Sequence, residues 1–322
     1  MQDNKVLRIS VTDRCNLRCV YCMPETGVKL LRHNELLSYE EIELIAKSAI
    51  QAGIKNFRIT GGEPLVRKGL TILIEKLARL NPLDLALTTN GIFFPDFASE
   101  LKSAGLKRVT ISLDTLREAR FEKITRRKGL PRVLSAIRIA KNLNLEPVKI
   151  NTVIIRGIND DEIIDFVQLA KDEDLEVRFI ELMPSSGIIS ECKESGIWRQ
   201  EFLVSGEEIK AQIEEHFGRL QSVPAQTGVA KKFELKNQAK IGLITPISEP
   251  FCNGCKRLRI SSEGILRLCL FDRSGINLKE EISRPNPREN LTNLFLQALE
   301  QKSDWHRGDI DQLTNEMFRI GG

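Results

Sequence analysis

The sequence predicts an α/β fold, with a parallel sheet flanked by helices in its first part and a smaller α+β region after it. Three observations carry that reading. Strand-like apolar runs occur six times before residue 182, at 6–11, 56–60, 83–88, 108–113, 147–154 and 176–181. Helical patterns lie between them, and such alternation implies parallel neighbours, because parallel strands need long crossover connections. The pattern changes after Met183-Pro184, where a polar Gly/Ser-rich stretch runs to Trp198. Periodicity alone leaves open a closed barrel, an incomplete one or an open doubly wound sheet.

The helices are marked by their first turns. Ser38-x-x-Glu41 is a capping box, in which side chains satisfy the orphan backbone N–H groups of a helix start. Ile42, Ile45, Ala46, Ala49 and Ile50 follow at helical spacing, with Gly53 as the stop. Asn159-x-x-Glu162 predicts a second such start, with Ile163, Phe166, Val167 and Ala170 on one face. Ser205-x-x-Glu208 predicts a third. Short strands are expected at 230–235, 240–244 and 257–261, and a helix near 290–299. The change of pattern divides the chain into 1–184 and 185–322.

Composition narrows the function. Of 322 residues, 41% are hydrophobic and 29% charged, the balance of a globular protein with ample chain for a core. The net charge of +4 comes without a basic run or a basic–aromatic stripe, which argues against nucleic acid and suits a small anionic substrate. No stretch approaches the ~20 apolar residues of a membrane helix. The opening Met1-Gln2-Asp3-Asn4-Lys5 leaves no room for a signal peptide before the first strand, so a cytoplasmic setting is expected. In that reducing setting seven cysteines read as ligands or structural thiols rather than disulfides.

Six of the cysteines form two triplets. Cys15, Cys19 and Cys22 lie on the loop directly after the first strand, spaced C-x3-C-x2-C. Three thiolates on one short loop can hold three corners of a [4Fe–4S] cube and leave the fourth iron open. The alternative is zinc, which usually takes four protein ligands and would have to recruit His33. Cys252, Cys255 and Cys269 make the second triplet, where a zinc ribbon completed by His306 is the alternative. Cys192, in the polar stretch, reads as a bystander thiol. After the second strand comes Thr60-Gly61-Gly62-Glu63-Pro64, which alone would be an ordinary strand-to-helix turn.

The C-x3-C-x2-C loop with Tyr21 before its last cysteine, together with Gly-Gly-Glu-Pro, resembles the radical S-adenosylmethionine superfamily. The second triplet and the terminal Ile320-Gly321-Gly322 narrow this to the GTP 3′,8-cyclase family of molybdenum cofactor biosynthesis, over nearly the whole chain. The resemblance implies a partial (β/α)6-type TIM-like barrel followed by an α+β cluster-binding region, with the chemistry at the C-terminal ends of the strands. It implies two [4Fe–4S] clusters and S-adenosylmethionine as cofactors. Cys15, Cys19 and Cys22 would hold the cluster that cleaves S-adenosylmethionine, and Cys252, Cys255 and Cys269 the cluster that binds GTP through its guanine. Tyr21, Gly62, Ser112 and Met183 match cofactor contacts; the Gly-Gly-Glu-Pro backbone and carboxylate would hold the methionine amino group. Arg8, Arg58, Thr88, Lys149, Arg257, Leu258 and Arg259 match GTP contacts. Arg8, Arg257, Arg259, Gly321 and Gly322 are the implied catalytic positions, the two glycines entering the active site as a tail.

The reaction implied begins with reductive cleavage of the sulfonium bond. The 5′-deoxyadenosyl radical takes hydrogen from C3′ of GTP, and C3′ then bonds to C8. A final electron and proton, delivered with Arg257 and Arg259 close by, give 3′,8-cyclo-7,8-dihydro-GTP. A reductant and a downstream cyclic pyranopterin monophosphate synthase are the implied partners, and a homodimer is compatible with the family.

The residues support the same convergence. Arg8, Arg58 and Lys149 lie inside apolar strands, where an unpaired cation is costly, so each wants an anion. A triphosphate would supply it; the competing partners are buried carboxylates such as Glu63, Asp114 or Glu181. Arg257 and Arg259 alternate with Leu258 and so share one face of a strand. Two departures stand out: only seven residues precede Arg8, and the stretch from Met183 to Trp198 is long for the family. Rival readings are a radical S-adenosylmethionine enzyme that matures peptides and a non-catalytic zinc-binding protein.

Overall fold

The computed structural model describes residues 5–184, 200–224, 229–236, 239–252, 254–272, 274–304 and 317–321. Six strands, β1 (Val6–Ser10), β2 (Asn56–Thr60), β3 (Asp84–Thr89), β4 (Arg108–Ser112), β5 (Lys149–Ile154) and β6 (Glu176–Glu181), follow one another in space as in sequence. All five of their pairings are parallel. The crossovers are helical: α1 (Tyr39–Gln51), α2 (Leu70–Ala78), α3 (Phe94–Ser103), α4 (Glu118–Thr125), α5 (Leu130–Asn142) and α6 (Ile163–Asp172).

Strand period decides what faces where. Leu7, Ile9, Phe57, Ile59, Leu85, Leu87, Val109, Ile111, Ile150, Val177 and Phe179 are almost wholly buried in one continuous core beneath the helices. Phe166 of α6 meets Phe179 edge to face, with ring centroids 6.4 Å apart. The alternate residues, among them Arg8, Arg58, Thr88, Ser112, Lys149, Asn151 and Arg178, line the cavities on the other side of the sheet.

After residue 200 come α7 (Gly206–Phe217), β7 (Gln221–Val223), β8 (Lys231–Glu234), β9 (Lys240–Ile244), β10 (Arg257–Ile260), β11 (Ile265–Arg267), β12 (Ile276–Asn277), α8 (Leu278–Ile282), α9 (Pro287–Asp304) and α10 (Met317–Ile320). These strands extend the same sheet at both edges. Strand β9 joins β6 and β10 joins β1, both in parallel, and antiparallel ribbons continue outward from each. The resulting order is β12-β11-β10-β1-β2-β3-β4-β5-β6-β9-β8-β7, with no hydrogen-bonded closure between the outermost strands. It is the open, partial form of a TIM-like barrel. Among the described residues no helix is long and apolar enough to cross a membrane.

The capping boxes at Ser38 and Ser205 form as expected, with Glu41 N donating to Ser38 Oγ at 3.1 Å and Glu208 N to Ser205 Oγ at 3.2 Å. The one expected at Asn159 does not. Asn159 is fully buried and spends its side chain on the turn after β5, accepting from Ile155 N and donating to the carbonyls of Asp114 and Val153. Glu162 is buried too, accepting from Thr115 Oγ1 at 2.6 Å and Leu116 N at 2.7 Å, with Arg120 beside it. Both side chains therefore tie two strand ends together, and α6 starts from a single 3-10 turn instead. The third strand also begins one residue later than expected, because Leu83 points to solvent at 60% exposure.

Glu181 joins the two parts of the chain. Fully buried at the end of β6, it accepts from Gly206 N at 2.9 Å, Ile247 N at 2.9 Å, Ser248 N at 3.0 Å and the Ser248 hydroxyl. Glu181→Ala would strand two buried backbone donors, Gly206 N and Ile247 N. It should cost about 3 kcal/mol or more and lower Tm by about 5 °C or more, whereas Glu181→Gln, which keeps an acceptor, should cost less. Thermal denaturation of the two variants under nitrogen measures the difference.

Candidate active site

The first cysteine loop leaves β1 and is clamped against the loop after β2. Val11 N donates to Thr60 O at 2.8 Å, Gly62 N to Thr12 O at 2.7 Å and Glu63 N to Arg14 O at 2.8 Å. The clamp is why glycines stand there: a Cβ on Gly61 would lie 2.7 Å from Thr12 O, and one on Gly62 2.5 Å from Arg14 O. Cys15, Cys19, Cys22, Tyr21, Gly62, Ser112 and Met183 all line one cavity of about 1090 Å³ at the C-terminal ends of the strands. Tyr21 reaches across it, donating to Asp114 Oδ2 at 2.6 Å, while Asp114 Oδ1 accepts from Val153 N. Burial pushes the Asp114 carboxyl up to about 6 and the thiols of Cys15 and Cys22 up to about 11 and about 12. These thiols ionise only with a metal, so metal binding here releases protons.

Glu63 has a different job from the one expected of it. It is fully buried, lies outside the cavity lining, and its carboxylate is consumed by Leu65 N at 3.0 Å, Thr89 Oγ1 at 2.8 Å and Asn90 N at 2.7 Å. Only the backbone of Gly-Gly-Glu-Pro faces the cavity. Asn90, held by Glu63, donates to Asn16 Oδ1 at 2.8 Å and approaches Cys15 Sγ at 3.9 Å. Asn90 thereby becomes part of the wall around the first triplet, a role nothing in its sequence context signals.

The interior of the sheet below that cavity is cationic. Arg8, Arg58, Arg108, Lys149, Arg178 and Arg257 line it, together with Thr88. Among the described residues the carboxylates that pair with Arg58, Arg108, Lys149 and Arg178 are Asp84 and Glu176, at the starts of β3 and β6, and not Glu63, Asp114 or Glu181. Asp84 pairs with both Arg58 and Arg108; Glu176 lies 3.2 Å from Lys149 and 2.5 Å from Arg178. Among the described residues, two carboxylates among six cations leave a surplus of positive charge in this space. The electrostatics register it. Burial, then Arg259, Arg257 and Arg58, push the Arg8 guanidinium well down; burial and Arg178 bring Lys149 to about 7; burial and Arg259 bring Arg257 to about 9. Burial would raise Glu176, but Arg178, Lys149 and Lys232 overcome it and hold the carboxyl at about 2.

A third cavity, of about 910 Å³, adjoins the second triplet. Cys252, Cys255 and Cys269 line it with Arg8, Arg178, Arg257 and Arg259. Arg257 and Arg259 point into it as their spacing requires, and between them Leu258 turns its side chain into the core beside Leu7, so only its backbone is available to a ligand. Arg259 Nη1 donates to Gly321 O at 2.6 Å. Gly321 has φ of +68°, and a Cβ there would lie 2.7 Å from Thr60 Oγ1, so a side chain is excluded by strain and by space together. Gly322, Cys192 and His306 lie outside the described residues.

Sequence reasoning missed Arg108, Arg178, Asn151 and Lys302. The first three occupy inward strand positions, and continuing the alternation from Lys149 would have found Asn151. Asn151 lines all three cavities, and its buried Oδ1 has no hydrogen-bond partner among the described residues. Lys302 comes from α9, is buried, and reaches the second triplet from a helix no strand pattern points to.

Among the described residues no three Cys, His, Asp or Glu side chains converge on one single-ion site. Each triplet is instead spread along a cavity wall, a donor set that fits a multi-iron cluster. None of the six described cysteines is in a disulfide. The model of the Radical SAM superfamily matches residues 9–170, and that of Molybdenum Cofactor Synthesis C matches residues 175–308. Over 322 residues the chain is 44% identical to the GTP 3′,8-cyclase of Syntrophomonas wolfei, covering 98% of this chain and 97% of that one. The chain belongs to the GTP 3′,8-cyclase family of radical SAM enzymes. Another cyclase, from Pelotomaculum thermopropionicum, is 45% identical over 323 residues, again 98% of this chain and 97% of that one. Among solved structures, Streptococcus suis SuiB bound to S-adenosylmethionine superposes with a TM-score of 0.66 at 14% identity, covering 97% of this chain and 78% of that one. Methylornithine synthase PylB gives 0.52 at 17% identity over 68% of this chain and 64% of that one. At such identities the two structures speak for the fold alone. As a radical SAM family member the chain takes S-adenosylmethionine and an iron–sulfur cluster.

Gly62→Ala tests the clamp. The added methyl must push Arg14 O, and with it the first cysteine loop, out of place. The variant should lose the iron held by the first cysteine loop and most of its S-adenosylmethionine binding, read by iron analysis and equilibrium dialysis under nitrogen.

Proposed function

We propose that this chain is a GTP 3′,8-cyclase, converting GTP to (8S)-3′,8-cyclo-7,8-dihydro-GTP in an early step of molybdenum cofactor biosynthesis. The observation that supports this most is the cationic interior that connects two thiol-lined cavities, with Asn151 bordering all three spaces. A triphosphate fits the charge surplus, and its nucleoside would then extend towards the cysteines. The 44–45% identity to cyclases over the whole chain sets this reading above peptide maturation and above zinc binding.

The residues divide the work. Cys15, Cys19 and Cys22 would hold one [4Fe–4S] cluster, and Cys252, Cys255 and Cys269 a second. When bound, the first supplies reductive cleavage of S-adenosylmethionine and the second a docking point for the purine. Tyr21, the Gly62 backbone, Ser112 and Met183 enclose S-adenosylmethionine. Arg8, Arg58, Thr88, Lys149 and Arg178 hold the phosphates and ribose, so that C3′ is presented in a fixed orientation. Arg257, Arg259 and the backbone of Leu258 border the purine. Gly321 seals the space without a side chain and keeps water from the reacting carbons, and Gly322 is assigned to the same catalytic tail by the family resemblance. In this division residues 1–184 generate the radical, and residues 185–322 add the second cluster and the tail. A one-electron reductant, a downstream cyclic pyranopterin monophosphate synthase and a cytoplasmic setting complete the reading.

Two outcomes test it. Anaerobically reconstituted protein should hold about eight iron and eight sulfide per chain, and GTP should give both 5′-deoxyadenosine and the cyclised nucleotide; four iron per chain, or no cyclised product, would remove the second cluster or the activity. The second test concerns Lys149. With its free value near 7 it carries charge mainly below that pH, so its contribution to GTP binding fades as pH rises. Lys149→Met should weaken GTP binding about tenfold at pH 6, where a charge-assisted bond is lost, and the ratio of variant to wild-type Kd should shrink by pH 8.5. Because the ratio is taken at each pH, ionisation of GTP itself cancels.

A further inference from the structure

A second concentration of positive charge, apart from the cationic interior, lies on the first cysteine loop and the end of α4. Residues 14–32 contain Arg14, Arg18, Lys29 and Arg32 against one acid, Glu25. Residues 123–128, at the end of α4, contain Lys123, Arg126, Arg127 and Lys128 and no acid at all. Together these two short segments carry a larger excess than the +4 of the whole chain.

The fold makes one surface of them. Arg18 N donates to Thr125 O at 3.0 Å and Val20 N to Ile124 O at 2.9 Å, so the end of α4 lies directly on the cysteine loop. Arg126 Nη1 braces that junction by donating to Arg18 O at 2.9 Å and Met23 O at 3.3 Å. Arg14 Nη2 donates to Leu31 O at 3.2 Å, which draws the 24–32 loop against the same side. Lys29, Arg32, Lys123, Arg127 and Lys128 are left exposed on it. Glu35 and Glu122 border the patch without balancing it.

We propose that this basic rim is the docking surface for an acidic one-electron carrier protein, which delivers the electron that the first cluster needs. The inference rests on the cyclase reading. Electron transfer weakens steeply with distance, and the patch is built on the loop that carries the first triplet, with Arg18 and Val20 of that loop bonded to the end of α4. A carrier of opposite charge is steered to such a patch and oriented on it. The electrons balance: the carrier is oxidised by one electron, and one electron is consumed per sulfonium bond broken. The products are methionine and, after hydrogen transfer from substrate, 5′-deoxyadenosine. None of the exposed side chains is needed for the cavity itself, so docking can be separated from catalysis.

The test uses reconstituted holoenzyme with GTP and measures initial 5′-deoxyadenosine formation. The electron comes either from a reduced acidic flavodoxin at low concentration or from reduced methyl viologen, a small cation that a basic patch does not attract. Arg127→Glu/Lys128→Glu should slow the flavodoxin-driven rate about tenfold and flatten its dependence on salt, with Arg127→Ser/Lys128→Ser falling between it and wild type. The viologen-driven rate and the iron content should stay at wild-type level in both. A flavodoxin-driven rate unchanged in the Glu variant overturns the proposal, and so does an equal fall with both reductants, which would mean a damaged cysteine loop. Viologen-driven turnover of the wild type separates the two levels of inference. Its absence overturns the cyclase reading and this surface with it.

Discussion

The constraint everything else rests on is the two-residue period of a parallel strand applied to six neighbours in register. Val6, Arg8 and Ser10 stand level with Asn56, Arg58 and Thr60, and the same register continues through β3 to β6. One alternation buries Leu7, Phe57, Leu85, Val109, Ile150 and Val177 beneath the helices. The other must face inward whatever its chemistry, and here its chemistry is cationic. Stability comes from the first set, which can therefore carry the cost of the second. Among the described residues, Arg58, Lys149 and Arg178 lie close together with Asp84 and Glu176 as counter-charges, and with Arg8 beside them that cationic concentration is a reserve of affinity for a polyanion.

The fold was legible where periodicity is strong. The six core strands and the helix starts at Ser38 and Ser205 could be read directly, because alternation and capping are local signals. The openness of the barrel could not, since it depends on which partners β9 and β10 choose, and no local signal fixes a parallel pairing to a strand some 60 or 250 residues away. Asn159 shows the same limit from the other side. It has the right spacing for a helix cap, but a buried turn after β5 had three backbone groups to satisfy and took its side chain first. Tertiary demand for polar partners outranks a capping preference worth about 1 kcal/mol.

The site was legible in its thiols and only in part elsewhere. Cysteine spacing is a covalent-scale signal, so both triplets were visible. Arg58 and Lys149 were singled out correctly as cations inside strands, yet the carboxylates that oppose them were sought at the wrong ends. Glu63, Asp114 and Glu181 sit at the strand C-termini, where each is saturated by hydrogen-bond donors: three for Glu63, two for Asp114 and four for Glu181. A carboxylate so occupied acts as a structural tie. The acids free to meet cations were those at strand starts, Asp84 and Glu176, where the inward-pointing register places them beside Arg58 and Lys149.

This placement separates the two ends of the interior chemically. At the strand starts, acids and bases alternate and the charge surplus is fixed by ion pairs. At the strand ends the acids are held by hydrogen-bond donors, which favour the carboxylate, while burial opposes them and lifts Glu63 to about 7 and Asp114 to about 6. Burial, with Glu63 near Cys15 and Asp114 near Cys19, favours the protonated thiols, so a cationic metal cluster has to overcome both to hold thiolates there. Gly321 completes the arrangement from the opposite direction. Its carbonyl occupies Arg259, and its lack of a side chain lets the segment pass close over Thr60, while Met317 and Ile320 just before it pack in one cluster with Cys22 and Cys269. An interior arginine holds the Gly321 backbone, so the position of this segment and that of Arg259 are set together.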